Sequence, residues 1–273
     1  MAAFLCPLAS GSLGNALLVA TGRTRLLVDL GISARRLRAS LRTVGVRPEE
    51  IEAVLVTHTH RDHFSVSASA FCLSHRIPVY STRDNLAHLA YGLDGFADLL
   101  GAGLARPIDG RPVAVGDLAV EAFDVPHDSD GQCLGFRMTV GSPRRGRAVA
   151  VATDLGHVPP DTLASFVDAS VVVMESNHDP DLLRESGRPQ DLIRRIAGPR
   201  GHLSNDAAAE ALAEIVGRSH PGRVRSVVLA HLSRDCNRPR LALAAQAHLA
   251  RRPREAIHLS AATQYDVGPI IPL

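Results

Sequence analysis

The stretch Thr57-His58-Thr59-His60-Arg61-Asp62-His63 follows directly on the apolar run Ala53-Val54-Leu55-Val56. A short continuous run of branched residues that stops at polar ones reads as a buried strand, Ala53–Thr57, opening into a loop. Such a loop can turn the imidazoles of His58 and His60 to one side and deliver Asp62 and His63 to a neighbouring point. Borderline metals such as Zn²⁺ favour this mixture of imidazole nitrogen and carboxylate oxygen, so one loop can serve two ions. The plain alternative is a solvated polar loop, but clustered imidazoles that protonate near pH ~6 repel one another without a cation between them.

Outward from this loop, β-like runs at Phe4–Ser10, Ala16–Ala20 and Arg25–Asp29 predict an antiparallel start, and Ala34–Val44 predicts a helix. Helices are expected at Val66–Arg76 and Thr82–Tyr91, around a short strand at Pro78–Ser81. Strands follow at Val113–Val115, Leu118–Asp124, Leu134–Val140, Arg147–Ala152, Val171–Glu175 and Ser226–Ala230, with helices at Gln190–Ile196, Asn205–Arg218 and Pro239–Ala250. Each half carries several strands followed by strand–helix alternation. That pattern predicts two sheets packed face to face with helices outside, a four-layer α/β/β/α sandwich, formed by a single domain over residues 1–273. Three further candidate ligands stand where strands give way to loops: His127, Asp154 and His231. Rigid strands carrying donors at their ends can hold a constellation to the tolerance a metal demands.

Composition removes competing chemistries. None of the 30 basic residues is a lysine, which excludes Schiff-base catalysis, pyridoxal-phosphate anchoring and the phosphate-loop fingerprint, and with them a nucleotide cofactor held that way. A net charge of +2 speaks against a whole-surface polyanion binder, and the absence of Trp with 4% aromatic residues speaks against an aromatic stacking platform. Cys6, Cys72, Cys133 and Cys236 form no CxxC pair and read as buried free thiols. No apolar stretch reaches the ~18 residues of a membrane span and no charged leader precedes the first apolar run, so a cytoplasmic protein without membrane attachment is expected.

With these residues in view, the chain resembles the metallo-β-lactamase-fold hydrolases, His58-Thr59-His60-Arg61-Asp62-His63 matching their HxHxDH signature and His127, Asp154 and His231 their later ligand motifs. Ser10-Gly11-Ser12-Leu13-Gly14-Asn15, Ala152-Thr153-Asp154-Leu155-Gly156, Glu175-Ser176-Asn177-His178-Asp179, Gly201-His202-Leu203-Ser204-Asn205 and Leu229-Ala230-His231-Leu232-Ser233 are similar to the YycJ (WalJ) subgroup, associated with 5′-to-3′ DNA exonuclease activity. The resemblance implies one metal held by His58, His60, His127 and Asp154, and a second held by Asp62, His63, Asp154 and His231, with Asp154 bridging. Zn²⁺ and Mn²⁺ suit the donor set best, and Fe or Ni also fit it.

Two divalent ions offset by Asp62, Asp154 and a bridging hydroxide leave a centre near a net charge of about +1, which favours a phosphodiester. Asp62 can ligate and also orient the hydroxide. Ser204, Asn205 and Asp206 form a cap-like cluster ahead of the helical run Ala207–Val216, whose free N–H groups suit a phosphate, so Ser204 and Asn205 are candidate substrate-binding residues. His202, just upstream, is the candidate general acid for the departing alkoxide. His157 and His178 are read as rim or supporting residues, and His75, His88, His220, His248 and His258 as structural or solvent-facing. Arg61, Arg83, Arg234, Arg238 and Arg240 flank the motif loops and can follow a strand's phosphates or be ordinary surface arginines. About 75 residues separate Asp154 from His231, too few for an inserted β-CASP domain. Long structured RNA is therefore disfavoured, and the resemblance implies DNA ends as the substrate. A small cyclic phosphodiester or a thioester is the alternative, and a silent binding module the third, disfavoured because every ligand type is kept.

Overall fold

The structure, a computed structural model, describes residues 3–141, 146–250 and 256–273. Its strands are β1 (Phe4–Ala9), β2 (Ala16–Ala20), β3 (Arg25–Val28), β4 (Ala53–Leu55), β5 (Val79–Ser81), β6 (Ala105–Pro107), β7 (Val113–Val115), β8 (Leu118–Asp124), β9 (Leu134–Val140), β10 (Arg147–Ala152), β11 (Val171–Glu175), β12 (Ser226–Ala230), β13 (His258–Ala261) and β14 (Ile271–Pro272). They form two seven-stranded sheets, ordered β14-β1-β2-β3-β4-β5-β6 and β13-β12-β11-β10-β9-β8-β7. In the first, β1 to β3 are antiparallel and β3 to β6 parallel. In the second, β7 to β10 are antiparallel and β10 to β13 parallel.

Side-chain alternation makes the layers. Leu26 and Val28 of β3 pack with Val149, Val151, Val171, Val173 and Val228 in a core built between the sheets. Leu27, one residue out of phase, joins Leu18, Val54, Phe64, Phe71 and Phe96 in a second core against helices on the outer face. On the other side Ala150, Val172, Met174, Val227 and Leu229 pack against Leu212, Ile215 and Val216. Strands apolar on both faces require cover on both, and three apolar layers separate four structural ones. The expected α/β/β/α sandwich is what forms.

The helices are α1 (Ala34–Thr43), α2 (Val66–His75), α3 (Arg83–Gly92), α4 (Phe96–Gly101), α5 (Pro160–Ala164), α6 (Pro180–Arg184), α7 (Gln190–Ile196), α8 (Asn205–Arg218), α9 (Pro239–Ala245) and α10 (Ala247–Ala250). In α8, Ala208, Ala211, Leu212, Ile215 and Val216 are buried along one stripe, and Ser204 caps the start by accepting from the Ala207 N–H at 3.1 Å. The helix expected over Pro239–Ala250 is interrupted at Gln246, whose buried side chain donates to the Asn205 carbonyl at 3.2 Å. The strand expected to run to Asp29 stops at Val28, because Asp29 adopts a left-handed φ of 61°.

Candidate metal centre

Strands β4, β10, β11 and β12 end where the sandwich opens, and donors from both sheets meet there. His58 and His63 are fully buried in the loop after β4, held by the carboxylate that ends β3. Asp29 accepts from the Thr57 N–H at 2.8 Å, while its other oxygen lies 2.7 Å from His63 Nδ1. Thr57 Oγ1 stands 3.0 Å from His58 Nδ1, and His127 Nδ1 donates to the Gly201 carbonyl at 3.0 Å. His231 Nδ1 donates to Glu175 Oε1 at 2.8 Å. In each of these imidazoles Nδ1 is held by the protein and Nε2 is turned toward the centre.

The inward-facing atoms fall into overlapping groups. His58, His60 and His127 form one, Asp62, His63 and His231 another, and Asp154 joins His58 with His63, each group's donor atoms lying within 4.8 Å of one another. Asp154 Oδ2 is 3.1 Å from His63 Nε2, and Asp154 Oδ1 is 4.0 Å from His127 Nε2. The carboxylate therefore stands between the two triads. All the residues expected to ligate metal are brought together at one place.

A divalent cation fits this donor set. Asp154 Oδ2 and His231 Nε2 are buried without a well-directed hydrogen bond: His63 Nε2 at 3.1 Å is misaligned with the first, and Asp62 Oδ2 at 3.7 Å is too far from the second. His58 Nε2 and His60 Nδ1 meet at 2.9 Å, two nitrogen donors converging on one point. Burial holds the pKa values of His58, His60 and His127 below the ordinary histidine value, keeping them neutral and ready to ligate. Burial also opposes charge on His63 and His231, but Asp154 and the other carboxylates outweigh it, raising His63 well above its usual value and His231 to about 10. Burial pushes Asp154 upward, yet His231 and His63 hold it well below the usual carboxylate range.

Glu175, the last residue of β11, organises the far wall. Its Oε1 accepts from His202 Nδ1 at 2.9 Å and from His231 Nδ1 at 2.8 Å, and its Oε2 accepts the Leu155 and Leu203 N–H groups at 3.0 and 3.1 Å. Burial works against its charge, but His202 first and His231 with it bring its pKa to about 2. Burial likewise opposes the His202 imidazolium, and Glu175 reverses the balance, raising His202 above its ordinary value. His202 lines a cavity of about 200 Å³ together with Ser12, His60, Asp62, Asp154 and His231, with Leu192 and Arg195 of α7 above. Sequence reasoning gave Glu175 and Asp29 no role of their own. The signal was present in both: an acid that ends an otherwise unbroken buried run, as in Val171-Val172-Val173-Met174-Glu175.

Ser204 and Asn205, expected to bind substrate, both have their side chains engaged by the fold. The Ser204 hydroxyl caps α8, and the buried Asn205 carboxamide is tied to Ser176 Oγ at 2.6 Å and to Asn237 at 2.9 and 3.1 Å. Neither lines the cavity over the metal donors. His178 is buried beside the same network, its carbonyl accepting the Asn205 N–H at 2.8 Å. His157 donates to the Pro199 carbonyl at 2.9 Å on the surface. His75, His88, His220, His248 and His258 lie outside the donor groups formed by the described residues. All four cysteines are buried and free. No described helix is long and apolar enough to cross a membrane.

Comparison with known proteins agrees with this geometry. Residues 24–231 match the Beta-lactamase superfamily domain. The chain is 32% identical over 238 residues to the exodeoxyribonuclease YycJ of Bacillus anthracis, covering 86% of this chain and 84% of that protein. It is 30% identical over 251 residues to the exodeoxyribonuclease WalJ of Streptococcus pneumoniae, covering 86% and 83%. Zn²⁺-bound PqqB from Methylobacterium extorquens shares the fold, with a TM-score of 0.68 and 16% identity over 99% of this chain and all of that one. Two sheets closing over a shared cluster of histidines and aspartates, together with these matches, make the chain a member of the metallo-β-lactamase-fold superfamily, similar to its YycJ and WalJ proteins.

Proposed function

We propose that this metal-dependent hydrolase is a dinuclear phosphodiesterase that acts on DNA ends as a 5′-to-3′ exonuclease. The observation that carries the reading is Asp154, a buried carboxylate placed between one triad of histidines and a second triad of Asp62, His63 and His231. His58, His60, His127 and Asp154 would hold one ion, and Asp62, His63, Asp154 and His231 the other, with Zn²⁺ or Mn²⁺ best suited to the donors. Bound there, the ions supply Lewis acidity toward a phosphoryl oxygen and acidify a water. Asp62 is the more exposed acid of the group and accepts a hydrogen bond from the attacking water, fixing its direction. As the new P–O bond forms and the old one breaks, His202 gives its Nε2 proton to the departing alkoxide. Its Nδ1 stays on Glu175, which holds the ring and favours its charged form. The exodeoxyribonuclease names of the YycJ and WalJ relatives point the same way.

The test is to incubate purified protein, its metal content counted, with Mn²⁺ or Zn²⁺ and 5′-labelled duplex DNA, cyclic nucleotides and a glutathione thioester. Mononucleotides released from the 5′ end by protein carrying two equivalents of metal support the proposal. Turnover of the cyclic phosphate or thioester alone would replace the substrate, and one equivalent at full activity would remove the dinuclear mechanism.

A further inference from the structure

We propose that Tyr265, with Arg36 and Arg234, forms a one-ring platform beside the metal centre that holds a single-stranded segment of the nucleic-acid substrate, in a chain whose composition speaks against any extended aromatic surface. The proposal rests on the nucleic-acid reading above and names the surface that would recognise the strand. Tyr265 is 65% exposed although it is one of only three tyrosines in the chain. The guanidinium carbons of Arg36 and Arg234 lie over its ring, 6.0 and 5.9 Å from the centre, so a base that stacks there shares the ring with them or displaces one. Neither arginine has a carboxylate within ion-pair distance among the described residues, whereas Arg83, Arg184, Arg188 and Arg195 each have one. Arg36 donates instead to the Gln264 carbonyl, and the neighbouring Asp266 carboxylate accepts from Thr263 Oγ1 at 3.2 Å. The ring thus carries two guanidinium groups, neither in an ion pair among the described residues, although Asp266 lies near enough to Arg36 to favour its charge.

This platform is tied to the site. Gln264, buried next to Tyr265, accepts the Leu13 N–H at 2.8 Å and donates to the Gly14 carbonyl at 3.0 Å. Gly11 leaves room for that side chain, since a Cβ there would come within 2.7 Å of Gln264 Oε1. The loop held in this way contributes Ser12 to the cavity wall, and its Ser10 hydroxyl accepts the His231 N–H at 2.7 Å. Asn15, at the loop's end, donates to the Asp62 carbonyl at 3.2 Å. Arg234 lies three residues beyond His231 on the same strand exit. An aromatic face stacks any base, and guanidinium groups match phosphate oxygens, so the combination recognises a strand without reading its sequence. Duplex DNA hides its base faces, so the segment engaged is unpaired. A small diester placed at the metals has no base with which to cover the ring.

The experiment compares kcat/KM on a 5′-phosphorylated single-stranded oligonucleotide with that on bis(p-nitrophenyl) phosphate, using metal-loaded protein. Tyr265→Ala should lower the oligonucleotide-to-ester ratio about tenfold, and Tyr265→Phe should hold it within about twofold, because the ring and not the hydroxyl stacks. Arg234→Gln should make the salt dependence of oligonucleotide binding shallower by about 0.7 in log–log slope. An unchanged ratio in Tyr265→Ala, or an equal fall in Tyr265→Phe, overturns the platform while leaving the nuclease reading intact. Wild-type protein that cleaves the ester but neither binds nor cleaves any oligonucleotide overturns the functional reading itself.

Discussion

Glu175 holds two histidines through one oxygen, and so joins His202, the proposed general acid, to the candidate metal centre. With Nδ1 of His202 on Glu175, the remaining nitrogen is the one able to give up a proton. His202→Ala should keep its metal, verified by elemental analysis, yet lose about 10²- to 10⁴-fold in turnover of poor leaving groups and far less with p-nitrophenol. Equal losses for both would argue against proton donation. The same electrostatics predict proton release when metal binds. The metal-free pKa of His231 is raised to about 10, mainly by Asp154 against burial, so it carries a proton at neutral pH, and that of His63 is shifted in the same direction, while a ligand must be neutral. Calorimetric metal titration in buffers of differing ionisation enthalpy should show net proton release, and affinity rising with pH. A heat independent of buffer would contradict the charge assignment.

The elements position these residues through their ends. Ser204 is where α8 starts, so Ser204→Ala should cost about 1 kcal/mol of stability in denaturant unfolding and leave kcat/KM intact. A large rise in KM instead would restore it as a substrate contact. The loop after β4 depends on Gly31, where a Cβ would stand 1.8 Å from the Asp62 carbonyl oxygen. Gly31→Ala should push that loop away, destabilise the protein by about 1–3 kcal/mol and weaken metal retention in a competition with a chromophoric chelator. Long elements were legible in the sequence because two-faced apolar runs and the 3.6-residue stripe of α8 declare themselves. The short β6, β14, α5 and α6 were not, since two to five residues carry no period and such pieces exist only through their neighbours.

At the scale of the molecule, the centre is a seam. His58, His60, Asp62 and His63 come from the first sheet, and His127, Asp154 and His231 from the second. Metal bound by these residues would cross-link the sandwich at its open edge, and a ligand bound only by the folded state stabilises it by mass action. Chelation should lower Tm by several degrees, and Zn²⁺ or Mn²⁺ should restore it; a Tm indifferent to chelator would mean that the donors hold no ion in the folded protein. The sequence by itself determined the layered fold and the identity of the donors, because apolar periodicity and the clustered loop after β4 are local patterns that survive without coordinates. Only the tertiary structure decided that Glu175 and Asp29 orient the histidines, that the side chains of Ser204 and Asn205 are engaged by the fold, and that two arginines lie over the Tyr265 ring. Those facts depend on which strand ends and loops become neighbours, and the contacts that bring distant residues within 3 Å leave no period in the chain.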